Sequence, residues 1–177
     1  MSMSTTAFNH EFKTEAFKGK VSFPTGVFID GEFITGSEGT TIDVIDPSDG
    51  KILVSIDEGT SENVDAAVIS AKKAFRDTWG LKVPGEKRGQ FLNKLADLME
   101  QNLDELAAIE ALNAGKTFTG TKAMDLKLTV NTLRYYAGWA DKIHGQVIET
   151  QESNFAYTRR EPFGVVGQII PTNFSLT

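Results

Sequence analysis

The stretch Glu161-Pro162-Phe163-Gly164-Val165-Val166-Gly167-Gln168-Ile169-Ile170-Pro171-Thr172-Asn173 decides the fold. From Gly164 to Pro171 it is almost continuously apolar, the pattern of a strand covered on both faces in a parallel sheet. Such a strand needs a crossover of about a dozen or more residues and a partner strand beyond it. Only seven residues follow Ile170. Leaving Val165, Val166, Ile169 and Ile170 uncovered forfeits about 1.5–3 kcal/mol each, a sum comparable with the stability of a whole domain. The sequence reads as the front of a larger α/β fold.

Just past that strand stands Asn173. In open α/β sheets ligands collect at the carboxyl edge of the strands. An amide side chain there offers two N–H donors that can face a developing oxyanion. An Asn also turns a loop after a strand, and spacing alone favours that plainer role.

Upstream, Gln146 to Glu149 and Asn154 to Arg160 read as a hairpin around Gln151-Glu152-Ser153. Before it the pattern is helical. One helix over about 121–144 carries Leu126, Val130, Leu133, Ala137 and Ala140 inward, and another from about Leu103 stops near Gly115, a residue suited to the left-handed C-cap. A third carries Phe91, Leu92, Leu95, Leu98 and Met99 on one face, and the first, from Thr60, repeats Val64, Val68, Ala71 and Phe75. Two hairpins precede the helices. Val27 to Ile34 turns at Asp30-Gly31, and Thr41 to Ile45 pairs with Ile52 to Ile56 across Asp46-Pro47-Ser48-Asp49-Gly50.

Composition removes several classes of function. Of 177 residues, 40% are hydrophobic and 24% charged, which argues against wholesale disorder. A net charge of −6 disfavours a broad basic face for nucleic acid. No apolar run approaches the ~18–20 residues of a membrane helix. There is no cysteine, hence no disulfide, thiolate metal site or thiol nucleophile. No phosphate-loop, G-x-S-x-G or G-x-G-x-x-G motif occurs. His10 falls in the opening segment, and His144 reads as a cation at a helix C-terminus. Residues 1–20 read as a flexible leader, neither signal nor transit peptide, which points to the cytoplasm.

Several segments together carry a resemblance. Phe28-Ile29-Asp30-Gly31-Glu32-Phe33, Asp46-Pro47-Ser48-Asp49-Gly50, Arg88-Gly89-Gln90-Phe91-Leu92, the run from Leu133 to Lys142 and the run from Glu161 to Pro171 resemble the amino-terminal part of the aldehyde dehydrogenase superfamily. The resemblance implies the amino-terminal portion of that fold. Strands and helices of the cofactor domain would fill 21–144, an oligomerisation hairpin 145–161, and the first strand of an incomplete, Rossmann-like NAD-binding core 162–177. It also implies roles. Ile169, Ile170, Pro171 and Thr172 would line the cofactor cleft, and Asn173 would help hold the oxyanion formed when a cysteine adds to an aldehyde. Tyr135, Gly138 and Trp139 match tunnel-wall positions, although aromatics at helical spacing are equally plain core.

The implied protein oxidises aldehydes to carboxylic acids with NAD or NADP and forms a homo-oligomer, dimer or tetramer, through the 145–161 hairpin. The sequence in hand lacks the nucleophilic cysteine, the general base and most of the cofactor site, so weak or no cofactor binding and no activity are expected of it alone. The alternative is a non-catalytic truncated paralogue that associates with full-length subunits. Neither nucleic acid nor membrane is an expected partner. The sequence departs from the family pattern at Thr172, Ser175 and Asp46, which stand where Trp, Pro and Asn are usual. Asn113 stands where some members place an acid at a cation site, and no metal is expected here.

Overall fold

The computed structural model describes residues 7–36, 38–171 and 173. It opens with β1 (Ala7–Lys13) and β2 (Lys18–Pro24), an antiparallel hairpin in which Phe8 faces Phe23 and His10 faces Val21. Thr14 closes the turn, its Oγ1 accepting from the Phe17 N–H at 3.0 Å. Phe8, Phe12 and Val21 are buried together with Ala108. The leader expected over residues 1–20 is therefore corrected from Ala7 onward, because Phe8, His10 and Phe12 alternate with polar residues at the strand period and put two phenyl rings on the core face.

The next two hairpins form as the sequence predicts. β3 (Val27–Ile29) and β4 (Glu32–Ile34) turn at Asp30 and Gly31, whose φ values of 55° and 86° are the pair of positive angles such a tight turn requires. β5 (Thr41–Ile45) pairs with β6 (Ile52–Asp57), and Asp46 Oδ1 accepts from the Ser48 N–H at 2.8 Å within the loop.

The helices are α1 (Ser61–Asp77), α2 (Gly85–Gln101), α3 (Leu103–Ala114), the single turn α4 (Phe118–Gly120) and α5 (Lys127–Trp139). Between α4 and α5, residues Thr121–Leu126 form a π-helical turn. Gly115 ends α3 in the left-handed conformation. The first hairpin packs on α3 through Ala108, Ile109 and Leu112.

α2 and α5 pack along each other, the start of one against the end of the other. Their seam is made by small residues. A Cβ on Gly89 would stand 2.7 Å from the Ala137 carbonyl oxygen, so only glycine permits this approach. Ala96 is buried, whereas Phe91, Leu95 and Leu98 stay about half exposed. The single apolar face expected on α2 is thus two faces, and the smaller side chains define the buried one.

Four two-stranded ladders are the only sheets among the described residues, the last being β7 (Val147–Ile148) with β8 (Ala156–Tyr157). The strand expected over 164–171 is absent. That segment is irregular coil without a ladder partner, with Ile169 100% and Phe163 99% exposed. A strand is a paired structure, and apolar sequence alone does not make one. Among the described residues no helix is long and apolar enough to cross a membrane.

Candidate functional site

Asn173 lies exposed in a turn beyond the 161–171 segment. Ile169, Ile170 and Pro171 precede it, all exposed. Thr172 lies outside the described residues. As they stand, Ile169, Ile170, Pro171 and Asn173 are a run of exposed side chains that fits at most one wall of a dinucleotide site. Among the described residues no glycine-rich strand-to-helix turn offers N–H groups to a pyrophosphate.

The tunnel candidates on α5 are brought together. Tyr135 and Trp139, one helical turn apart, have ring centroids 6.3 Å apart, and Tyr136 meets Tyr135 edge-on at 5.2 Å. All three are about half exposed. Nothing lies within 4 Å of where a Gly138 Cβ would stand, so that position opens outward beside them. This face is an aromatic surface and not core. Tyr136 belongs to it and was not singled out by spacing, because it follows Tyr135 directly and leaves the i, i+4 row.

Besides the exposed pairing of Arg134 with Asp97 and Glu100 of α2, two polar clusters hold α5 and the turn before it, and sequence reasoning missed both. Arg88 donates to the Val83 carbonyl at 2.6 Å and to the Ala140 carbonyl at 3.0 Å, tying the approach to α2 to the end of α5. Lys116 donates to Asp125 Oδ2 at 2.8 Å and to Glu110 Oε1 at 3.3 Å. Glu110 is 4% exposed, so its partner is essential to its burial. The hydrogen bond to Asp125 holds the Lys116 ammonium above its ordinary range, with Glu110 adding to it and burial pulling the other way. The available signal was an acid on the apolar side of a helix with a lysine just past its cap.

His144 is exposed and stands beyond the end of α5. The cations that meet carbonyls at that end are Arg88, on Ala140, and Lys142, whose Nζ donates to the Gly138 carbonyl at 2.7 Å. The largely apolar cavity of about 300 Å³ lined by Phe8, Phe23, Val54, Ile109 and Leu112 lies between the first hairpin, the β5–β6 hairpin and α3, and Asn173 does not line it. Among the described residues no cluster of His, Asp or Glu is arranged to hold a metal.

These features define a mixed helix-and-strand unit with an exposed amide at Asn173 and an aromatic face on α5. The aldehyde dehydrogenase family model matches residues 33–177. The chain belongs to the aldehyde dehydrogenase family, and it corresponds to an amino-terminal portion of that fold. It is similar to an aldehyde dehydrogenase of Agaricus bisporus, 55% identical over 169 residues, which cover 96% of this chain and 34% of that protein. A second, from Emericella nidulans, is 54% identical over 89% of this chain and 31% of its own length. The NAD+ complex of an aldehyde dehydrogenase from Bacillus cereus superposes with a TM-score of 0.81 at 42% identity, over 84% of this chain and 30% of that one. The chain thus spans about a third of the length of the relatives it matches.

Proposed function

We propose that this chain serves an NAD(P)-dependent aldehyde dehydrogenase that oxidises aldehydes to carboxylic acids, and that Asn173 is its oxyanion-holding amide. Family membership carries the reading. In it, the thiolate and base that attack and deprotonate come from outside this sequence, since it contains no cysteine. Asn173 would donate an N–H to the oxygen of the attacked carbonyl as negative charge develops there. Ile169, Ile170, Pro171 and Thr172 would form one apolar wall of the nucleotide cleft, and Tyr135, Gly138 and Trp139 would border the aldehyde's path. The Rossmann-like core that completes the cleft is part of the same proposal. So is a cytoplasmic setting.

The β7–β8 ribbon supports association. Its paired strands are two residues long, too short for independent stability. It exposes Val147, Phe155 and Tyr157, the last two in ring contact at 5.9 Å. Pairing through residues 145–161, with copies of itself or with longer family subunits, would cover these groups.

The test joins this chain to the remaining two-thirds of the Agaricus bisporus relative and follows reduced nicotinamide with a panel of aldehydes. The chain alone should give no turnover and the chimera should give turnover. In the chimera Asn173→Ala should lower turnover by about 10²–10³ with cofactor affinity nearly unchanged. A loss below threefold would reduce Asn173 to a loop residue. A folded chimera that oxidised no aldehyde would overturn the functional reading.

A further inference from the structure

The π-helical turn over Thr121–Leu126 is an unusual choice for a chain that could have continued as α-helix from Phe118. Its sequence explains why the turn is wide. Thr121 is 1% exposed and Leu126 fully buried, five residues apart, and Val130 and Ala137 continue the same stripe. Had the turn closed as α-helix, the residue following Thr121 on that face would be Asp125 and not Leu126. The carboxylate would then enter the core, and the rest of the helix would turn by about 100° relative to α4.

Three observations show what holds the wide register. Asp125 is kept at the margin by Lys116, at 2.8 Å. Lys116 is itself anchored on the last turn of α3, by Glu110 and by its own N–H, which donates to the Ala111 carbonyl at 3.1 Å. Thr129 Oγ1 donates to the Asp125 carbonyl at 2.9 Å, supplying a partner where the helical ladder changes pitch. The register also has a drawback that a passive helix would avoid, because the buried Thr121 Oγ1 has no hydrogen-bond partner among the described residues.

We infer that Lys116 is a positioning residue that fixes the π register of residues 121–126 and, through it, the angular setting of the Tyr135–Trp139 face of α5. The role of that face toward an aldehyde rests on the functional reading above; the role of Lys116 in setting it does not. The same cation therefore joins the end of α3 to the orientation of the aromatic surface at Tyr135–Trp139.

The experiment is hydrogen exchange and tryptophan emission on the 177-residue chain carrying Trp79→Phe, so that Trp139 reports alone. Lys116→Met should speed exchange of the amides of 121–130 by about tenfold or more relative to those of α2, and change the Trp139 emission maximum. Lys116→Arg should restore both. Deleting the exposed Met124 shortens the Thr121–Leu126 spacing from five to four, the α-helical interval, while keeping both faces in phase. In that background Lys116→Met should no longer accelerate 121–130 selectively. Uniformly faster exchange across α2, α3 and α5, or unchanged exchange, would overturn the inference. So would a selective effect that persisted after the deletion. If Lys116→Met does not fold alone, folding recovered by the Met124 deletion supports the inference, and failure to recover it counts against it. None of these readouts depends on catalysis, so an inactive chimera would leave them standing.

Discussion

The first hairpin and the 161–171 segment are built from the same kind of sequence and end in opposite states. Phe8, Phe12 and Val21 are 6%, 7% and 2% exposed, while Phe163 and Ile169 are 99% and 100% exposed. Both stretches carry large apolar residues at close intervals. The hairpin supplies its own ladder and finds α3 beneath it, with Ala108 small enough to admit two phenyl rings. The later segment has neither a ladder partner nor a layer on which to lie. Apolar patterning therefore declares that a segment wants covering, and the topology within reach decides whether it is covered.

The largest effect should come from striking the covered side. Phe12→Ala removes a ring packed edge-on against Phe17 at 5.4 Å and should cost about 3–5 kcal/mol, read by urea unfolding. A loss below about 1 kcal/mol would mean that the hairpin is an appendage and that the leader expected from sequence describes it after all.

Next in size is the α2–α5 seam. Gly89→Ala must push a methyl to 2.7 Å from the Ala137 carbonyl oxygen, so the helices must part. The expected loss is about 1–3 kcal/mol. Leu95→Ala, on the half-exposed face of the same helix, should cost clearly less, and equal losses would show that the seam is not where the packing lies.

These two regions show how much was legible in advance. Turns were read well because their chemistry is local: Asp30-Gly31 and Gly115 adopt the positive φ values their residue types favour. The helices were legible from periodicity, including the stripe through Leu126, Val130 and Ala137 on α5's side. The first hairpin was missed because it lies in an opening segment where no long apolar run announces it. The α2 face was misread because size was taken as the mark of burial, whereas close helix approach selects Gly89 and Ala96. The Lys116 cluster escaped because its partners Glu110 and Asp125 lie on either side of a helix end, where no single period relates them. At the site, the aromatic face of α5 was legible as a row. The state of Ile169 to Asn173 was not, because a strand's existence depends on residues that are not its own.

Smaller, and confined to the packed side, is an alkaline effect. The Lys116 value is raised in the folded state, so its stabilisation is complete below the ordinary lysine value of about 10.4 and is lost as pH climbs through the raised one. Melting temperature measured between pH 9 and 12 should fall more steeply for the parent chain than for Lys116→Met. Parallel profiles would show that the ammonium contributes no pH-dependent stability.

The smallest effect on stability should come from the uncovered side. Ile169→Ser changes a side chain that is fully exposed, so unfolding free energy should move by no more than about 0.5 kcal/mol. Its surface behaviour should change all the same. Phe163, Val166, Ile169 and Ile170 expose apolar area along one short segment, the kind of patch that marks an interaction surface or an aggregation hazard. The chain should bind a hydrophobic dye and self-associate, and Ile169→Ser combined with Phe163→Ser should reduce both while leaving the unfolding midpoint in place. The pairing of the two readouts separates the regions. A drop in stability would mean that the segment is packed in solution and the contrast with the first hairpin is one of degree. Unchanged dye binding and association would move the sticky surface elsewhere, to the half-exposed Phe91, Leu95 and Leu98 face of α2 or to the β7–β8 ribbon.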